Sequence, residues 1–338
     1  MVVVIYGGKS SEHEVSIVSA RTVVDGLLAA KYEVGAVYVH RDGASKSGEV
    51  GPIKELKHFA LSELAGIKDC VAFPIIHGTT GEDGCLQGCL EFVGVPYIGE
   101  GVLASAVGMH KGMQKQLFVS AGLPVLPFVS CTAEHWKKNR SDVLRHIIKV
   151  CGKRYPLFVK PVSTGSSVGV FKVMSADELP KAIVGAFKHD STILIESGLD
   201  KPREVECGIL GGPMRNSVFG EISYEGAFYD YEAKYHDSRT ALLIPAKLAA
   251  GQLKQLQKHA LKACEVLNIA HYARVDFFIE RKTGKIFLNE VNTIPGFTSG
   301  SMFPMLWKHS GVPIAKLMKH LVQLAYARSG VRTKKDNS

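Results

Sequence analysis

Phe277-Phe-Ile-Glu-Arg-Lys-Thr-Gly-Lys-Ile-Phe-Leu-Asn-Glu-Val-Asn-Thr-Ile-Pro-Gly296 reads as a β-hairpin carrying acids where a soluble enzyme should carry hydrocarbon. Just upstream, Arg274 and Asp276 alternate with Val275 and Phe277, which is strand periodicity. Lys282-Thr283-Gly284 fits a three-residue loop whose glycine takes the left-handed region. Pairing Arg281 with Lys285 closes that loop and sets Asp276 opposite Glu290 and Arg274 opposite Asn292. Two carboxylates and one amide then share a face of the sheet. Like charges directly opposite are destabilising, so something positive is expected between them. Hard oxygen donors facing one point suit magnesium, and magnesium held by few protein oxygens also holds nucleotide phosphates. An exposed sheet face with scattered charge is the bland reading of the same pattern.

At 338 residues the chain is too long for one ordinary core, and two or three domains are expected. With 46% apolar and 22% charged residues it reads as globular and soluble. No run of about 18 apolar residues occurs, so nothing is expected to span a membrane. Met1 leads straight into Val2-Val-Val-Ile5 and then Gly7-Gly8, a buried strand rather than a signal peptide. The seven cysteines are scattered, and Cys85 with Cys89 lacks the second half of a zinc site. Reduced thiols in a cytoplasmic protein are the simplest reading. A net charge of +9 raises nucleic acid as a partner, but the basic residues are dispersed apart from Lys334-Lys335. Lysines that meet the phosphates of a small nucleotide account for part of the excess, so no nucleic-acid partner is expected.

Residues 1–108 alternate strand and helix. Val2–Tyr6 is an apolar strand, Gly7-Gly8 a turn, and Ser11 with Glu14 a capping box opening a helix to about Ala30. Tyr32–Val39 and Val71–Ile76 are further strands. This predicts a doubly wound parallel sheet with ligands at the carboxyl ends of its strands, where Gly7, Gly8 and His77 sit. A nicotinamide-binding dehydrogenase is the rival, but no G-x-G-x-x-G follows the first strand.

Residues 109–195 read as a central α+β unit with a helix over Lys111–Ser120 and strands at Pro156–Lys160 and Val168–Val173. Residues 196–328 read as a second α+β unit, an antiparallel sheet that ends in the acidic hairpin. The polar loop Tyr224–Leu242 interrupts it, and loops of that length are usually functional. Ile314, Leu317, Met318, Leu321 and Leu324 mark a last amphipathic helix, and 329–338 a disordered tail. Thr164-Gly-Ser-Ser-Val-Gly169 joins two strands and lacks Gly-Lys-Ser/Thr, so it is not a P-loop. It suits a flap whose N–H groups cover phosphates, or an ordinary flexible turn. Lys160, ending the strand before it, can reach a phosphate as a point charge.

Six segments in one order narrow the reading. They are Gly7-Gly-Lys-Ser-Ser-Glu-His-Glu-Val-Ser16, His77-Gly-Thr-Thr-Gly-Glu-Asp-Gly84, Gly88 through Tyr97-Ile-Gly99, and Lys160-Pro with Gly165-Ser-Ser-Val-Gly169. Tyr229-Asp-Tyr-Glu-Ala-Lys-Tyr235 and Asn289-Glu-Val-Asn-Thr-Ile-Pro-Gly-Phe-Thr-Ser299 complete them. Together they resemble the D-alanine–D-alanine ligases, and the resemblance runs from residue 2 to about 327. It implies an α/β and α+β protein of ATP-grasp fold, with two α+β subdomains enclosing the nucleotide. It also implies ATP-dependent joining of two D-alanines through an acyl phosphate, for peptidoglycan synthesis. ATP, two magnesium or manganese ions and a homodimer come with it.

The resemblance gives roles to matched residues. Glu12 is expected to hold the ammonium of the first D-alanine, with Ser166 and Tyr235 hydrogen-bonded to it. Lys111, Lys160 and Lys234 are expected on ATP phosphates, Glu196 on the adenine amino group and Glu204 on the ribose. Ser301 and the Met302 backbone are expected to receive the carboxylate of the second D-alanine. His77 lines the substrate pocket or is a buried, satisfied histidine. Arg274 and the Gly296 N–H are candidate oxyanion donors, and Asp276, Glu290 and Asn292 the metal ligands. The chain departs from the pattern at His110, where the family often has an acid, and in a slightly long Glu196–Glu204 spacing. A D-alanine–D-lactate ligase, another ATP-grasp carboxylate–amine ligase and a catalytically silent nucleotide-binding protein are the remaining rivals. Tyrosine in the pair Lys234-Tyr235 favours the dipeptide.

Overall fold

The computed structural model describes residues 1–46, 48–224 and 240–330 and divides their strands among three sheets. The first is parallel, with β1 (Val2–Gly7), β2 (Val34–Val39), β3 (Lys57–His58) and β4 (Val71–Pro74) in the order β3-β2-β1-β4. Every β1 residue is buried, as a parallel strand covered on both faces requires. At Gly7 and Gly8 φ is 95° and 96°, and a Cβ there would meet Val39 O at 2.2 Å and Ile76 at 2.6 Å. Only glycine fits such a turn.

Helix α1 (His13–Ala29) covers this sheet, but the expected capping box does not form. The Ser10 hydroxyl is anchored by donating to His77 O at 2.6 Å, and it receives the Glu12 N–H at 3.1 Å. Ser11 faces solvent and Glu14 pairs outward with Arg41, so Glu12 becomes the residue at the helix mouth. Helices α2 (Cys85–Phe92) and α3 (Val102–Met109) lead to α4 (Lys111–Ser120).

The second sheet is antiparallel, with strands in the order β5-β8-β6-β7. In chain order it contains β5 (Phe128–Thr132), α5 (Ala133–Lys138), α6 (Arg140–Cys151), β6 (Leu157–Pro161), β7 (Phe171–Val173), α7 (Leu179–Ala186) and β8 (Thr192–Ser197). Val143 and Ile147 of α6 and Ile183 of α7 pack on Leu157, Val159, Ile193 and Ile195. The alternation of a strand then turns Lys160 and Glu196 to the opposite face. β7 starts three residues later than the sequence suggests, because 168–170 stay with the flap. Ser166, Ser167 and Gly169 there have φ of 47°, 59° and 73°, which no strand accommodates.

The third sheet has the order β11-β10-β9-β12-β13, and all its strand pairs are antiparallel. Its elements are β9 (Arg203–Leu210), β10 (Arg215–Tyr224), β11 (Thr240–Leu243), α8 (Ala250–Val266), β12 (Tyr272–Ile279) and β13 (Ile286–Asn292). β11 takes up the end of the expected long loop, and residues 225–239 lie outside the described residues. Val275 and Phe277 join the core under α8. Helices α9 (Met302–His309) and α10 (Ile314–Ser329) follow. Leu317, Met318 and Leu321 of α10 pack in the first core with Val23 and Leu27 of α1. Residues 331–338, most of the expected tail, are also outside the described residues.

The hairpin pairs Asp276 with Glu290 and Arg274 with Asn292, the pairs expected from closing the loop at Arg281 and Lys285. Its turn differs. Glu280 N–H donates to Lys285 O at 2.9 Å and Gly284 N–H to Glu280 O at 2.8 Å, so the loop has four residues, 281–284. The shifted register (Phe277 opposite Leu288) is restored by a β-bulge that inserts Asn289 before Glu290. Beside the bulge the Leu288 N–H donates to Pro124 O at 2.7 Å.

Candidate active site

A cavity of about 820 Å³ opens where the three sheets meet. It is bordered by Glu12 from the first unit, Lys111 and Lys160 from the second, and Glu204, Asp276 and Glu290 from the third. That volume is in the range of ordinary small-molecule sites.

The acidic face lies along β9, β12 and β13. Arg274 is buried, and its Nε and Nη2 each donate to Asp276 at 2.7 Å. Its Nε also lies 2.9 Å from Glu206 Oε2. The positive group between the acids is therefore Arg274, which forks onto Asp276 with two charge-assisted hydrogen bonds and pairs by charge with Glu206. Burial works against ionising Glu290, but Lys111, Lys160, Arg274 and Lys115 outweigh it and hold that carboxyl below its usual range. Burial, with Asp276 and Glu290 adding to it, pushes Glu204 up to about 7.

Asp276, Glu290 and Asn292 all border the cavity and present hard oxygen donors. Among the described residues no three His, Cys, Asp or Glu side chains form a metal cage by themselves. Two carboxylates and an amide leave coordination positions for phosphate oxygens, which is how magnesium is commonly held. The residues present thus fit the ion.

The lysines converge from the second unit. Lys160 Nζ lies 2.7 Å from Glu196 Oε2, and Lys115 Nζ closes on Glu196 Oε1. Burial raises the Glu196 carboxyl, yet the two ammonium groups outweigh it and keep it ionised. Both oxygens of Glu196, the side chain expected on the adenine amino group, thus face lysines. Lys115 was not singled out from the sequence. Its position four residues after Lys111 on one helix face was the available signal, though a lone lysine there reads as solvated. Lys111 Nζ donates to Thr164 O at 2.6 Å and so reaches the flap. Phe158, Leu199, Ile222 and Phe278 add apolar side chains to the cavity wall.

The flap lies against the first unit. Ser166 Oγ donates to Glu12 Oε1, and a Cβ at Gly165 would come within 2.7 Å of Glu12 Oε2. His77 is both things expected of it: it borders the cavity, and it is satisfied. Its Nε2 lies 3.0 Å from Ser19 Oγ and its Nδ1 3.3 Å from Glu82 Oε1. Ser19 Oγ also accepts the Phe297 N–H at 3.3 Å, which ties this pair to the turn at Gly296. Gly296 borders the cavity, and a Cβ there would meet Ser301 Oγ at 2.8 Å. Ser301 and Met302 are not among the residues that line the cavity. The Ser301 hydroxyl accepts the Thr298 N–H at 3.0 Å at the mouth of α9. Lys234 and Tyr235 lie outside the described residues.

The models of the D-ala D-ala ligase N-terminus and C-terminus match residues 1–64 with 48–100, and 117–323. The chain belongs to the D-alanine–D-alanine ligase family. It is 42% identical over 350 positions to the D-alanine–D-alanine ligase of Geobacillus kaustophilus, covering 96% of this chain and 94% of that one. Against the Listeria monocytogenes serotype 4b enzyme of the same name the identity is 37% over 360 positions, covering 98% and 96%. Among solved structures it is similar to the VanG D-Ala:D-Ser ligase of Enterococcus faecalis, at a TM-score of 0.83 and 32% identity over 96% of this chain and 98% of that one. The D-alanine–D-alanine ligase of Coxiella burnetii gives 0.79 and 31% over 97% and 94%. The three-sheet architecture is thus the ATP-grasp fold of this ligase family.

Proposed function

We propose that this ligase joins two D-alanines into D-alanyl-D-alanine with conversion of ATP to ADP and phosphate. The observation that supports the reading is the contact of Ser166 with Glu12, which joins the Gly/Ser flap to the carboxylate at the start of α1. A carboxylate and an amine do not condense at neutral pH, because the leaving group is too poor. Transfer of the γ-phosphoryl group to the first D-alanine makes an acyl phosphate and releases ADP. The amine of the second D-alanine attacks the acyl carbon, the C–O bond to phosphate breaks, and the amine loses a proton.

In this reading Glu12 binds the first ammonium, and Lys111, Lys160 and Lys234 hold phosphates. Glu204 takes the ribose, while the apolar wall at Phe158 and Phe278 takes the base. Arg274 and the Gly296 N–H face the developing oxyanion, and losing one such donor costs about 100–1000-fold in rate. Ser301 and the Met302 N–H, at the start of α9, offer a helix N-terminus to the second carboxylate. Asp276, Glu290 and Asn292 would hold two magnesium or manganese ions, whose chemistry is to neutralise charge on the transferred phosphoryl group. Acyl phosphates hydrolyse, so the flap acts as a lid that keeps water out.

The dipeptide would end the peptidoglycan stem. We place the ligase in the cytoplasm as a homodimer acting on small molecules, without nucleic acid or membrane. The free cysteines fit that placement. Among the described residues no helix is long and apolar enough to cross a membrane. Phe92, 92% exposed at the end of α2, and Leu103 on α3 are side chains that a second copy would cover.

The test is phosphate release with D-alanine, followed by product analysis with D-alanine, D-serine and D-lactate in competition. Dipeptide as the dominant product supports the reading. Preference for D-serine or D-lactate replaces it with a ligase of different acceptor choice. Tyr235→Phe is expected to raise the ester fraction with D-lactate below neutral pH.

A further inference from the structure

We infer that Gln114 is a positioning residue that fixes the strand carrying Glu290 and Asn292 against the helix carrying Lys111. Its side chain is buried in α4, with 2% of the residue exposed. Oε1 accepts the Val291 N–H at 2.9 Å, and Nε2 donates to Val291 O at 2.9 Å and to Gly108 O. Among the described residues β13 is the last strand of its sheet, and no strand there pairs with the outward N–H and C=O of Val291. A buried backbone group without a partner is costly. The Gln114 amide, one acceptor and one donor in a fixed fork, stands in for the missing strand.

The consequence is positional. Lys111, Gln114 and Lys115 fall at i, i+3 and i+4 and so share one face of α4. Lys111 reaches the flap at Thr164, Lys115 reaches β8 at Glu196, and Gln114 reaches β13 between Glu290 and Asn292. Gln114 and Val291 are 177 positions apart, so no covalent geometry sets their distance. The amide fork sets the separation between the phosphate lysines and the acidic face. The inference rests on the ligase reading of this site.

Gln114→Met keeps the volume and removes the fork, whereas Gln114→Glu keeps the acceptor for Val291 N–H and removes the donor. Gln116→Met, on the exposed side of the same helix, is the control. The first readout is hydrogen exchange at the Val291 amide in ligand-free protein, expected to accelerate at least tenfold in Gln114→Met and not in the control. The second is steady-state kinetics. A positional error of the order of 1 Å can cost about 100-fold in rate. The KM for ATP is therefore expected to rise and kcat to fall by a combined 10–100-fold, with the KM for the first D-alanine within twofold. Gln114→Glu is expected to show the same kinetic direction without the exchange effect, and it serves alone if Gln114→Met does not fold. A folded variant with parental ATP kinetics overturns the inference, as does a loss spread equally over both substrates. If the parent itself fails to turn over ATP with D-alanine, the ligase reading fails, while the exchange measurement still reports on the fork.

Discussion

The Ser166 hydroxyl donates to the Glu12 carboxylate across 154 positions of sequence. Glu12 stands at the mouth of α1, and Ser166 at the tip of a loop with positive φ at three positions between 166 and 169. The contact therefore joins the first unit to the flap of the second.

Cutting that contact is expected to uncouple the reaction. A hydrogen bond to a charged group is worth about 1.5–3 kcal/mol, so Ser166→Ala should lower kcat/KM for D-alanine by roughly 10–100-fold. Water entering under a loose flap should raise the ratio of ADP to dipeptide above one. Gly165→Ala should act in the same direction, since its Cβ would lie 2.7 Å from Glu12 Oε2. Chromatographic measurement of ADP and dipeptide in one assay decides, and a ratio of one in both variants refutes the lid role.

The Lys115–Glu196–Lys160 cluster gives a stability expectation. Glu196→Gln removes the carboxylate in contact with Lys115, which is 2% exposed, and leaves it only the more distant Glu290. Removing one partner of a buried pair typically costs about 3–5 kcal/mol. Adding Lys115→Met to Glu196→Gln should recover much of that loss. Urea unfolding of the two single variants and the double variant checks it, and strict additivity would count against the pairing.

At the acidic face, Glu290→Gln keeps shape and removes charge. Turnover is expected to fall roughly 100-fold, the scale of losing one preorganised charge-stabilising group. The magnesium concentration for half-maximal rate should rise. A magnesium titration at saturating ATP is the measurement, and unchanged kinetics at limiting magnesium would remove Glu290 from the ligand set.

Glu100 supplies a pH dependence. It accepts the N–H groups of Ala270, His271 and Tyr272 at 2.7, 2.8 and 2.8 Å and so clasps the start of β12 to the first unit. Burial pushes its carboxyl up to about 7 from 4.5, against the pull of those N–H groups and Arg328. The folded state then keeps a proton that the unfolded chain releases, so stability falls as pH rises from about 4.5 to 7. At 1.36 kcal/mol per unit, the fall attributable to Glu100 is about 3 kcal/mol at most. Burial also raises Glu82, and its slope has the same sign. The comparison is therefore between the parent and Glu100→Gln, whose curve should be flatter. Parallel curves for the two proteins would rule out Glu100 as the source.

The hairpin shows how legible the site was. Alternation of Arg274 and Asp276 with Val275 and Phe277 fixes which face each side chain takes, because the strand period is two. The turn and the bulge were not legible. A four-residue loop and one extra residue at Asn289 shift the register in opposite directions and cancel at Glu290. Likewise Ser10, not Ser11, serves the start of α1, because the carbonyl oxygen of His77 holds its hydroxyl there. That partner is 67 residues away and leaves no mark in the local pattern.

Local order was set by the sequence itself: the apolar run of β1, the glycines where a Cβ would strike Val39 or Ile76, and the acids on one face of β12 and β13. Those follow from backbone sterics and strand period, which act over a few neighbouring residues. Tertiary structure alone decided that Glu196 is shared by Lys115 and Lys160, that Gln114 completes the edge of β13, and that α10 packs with α1. Each of these joins groups far apart in the chain, and whether a lysine or an amide is solvated or buried depends on how the three sheets dock. No local window of sequence carries that distance.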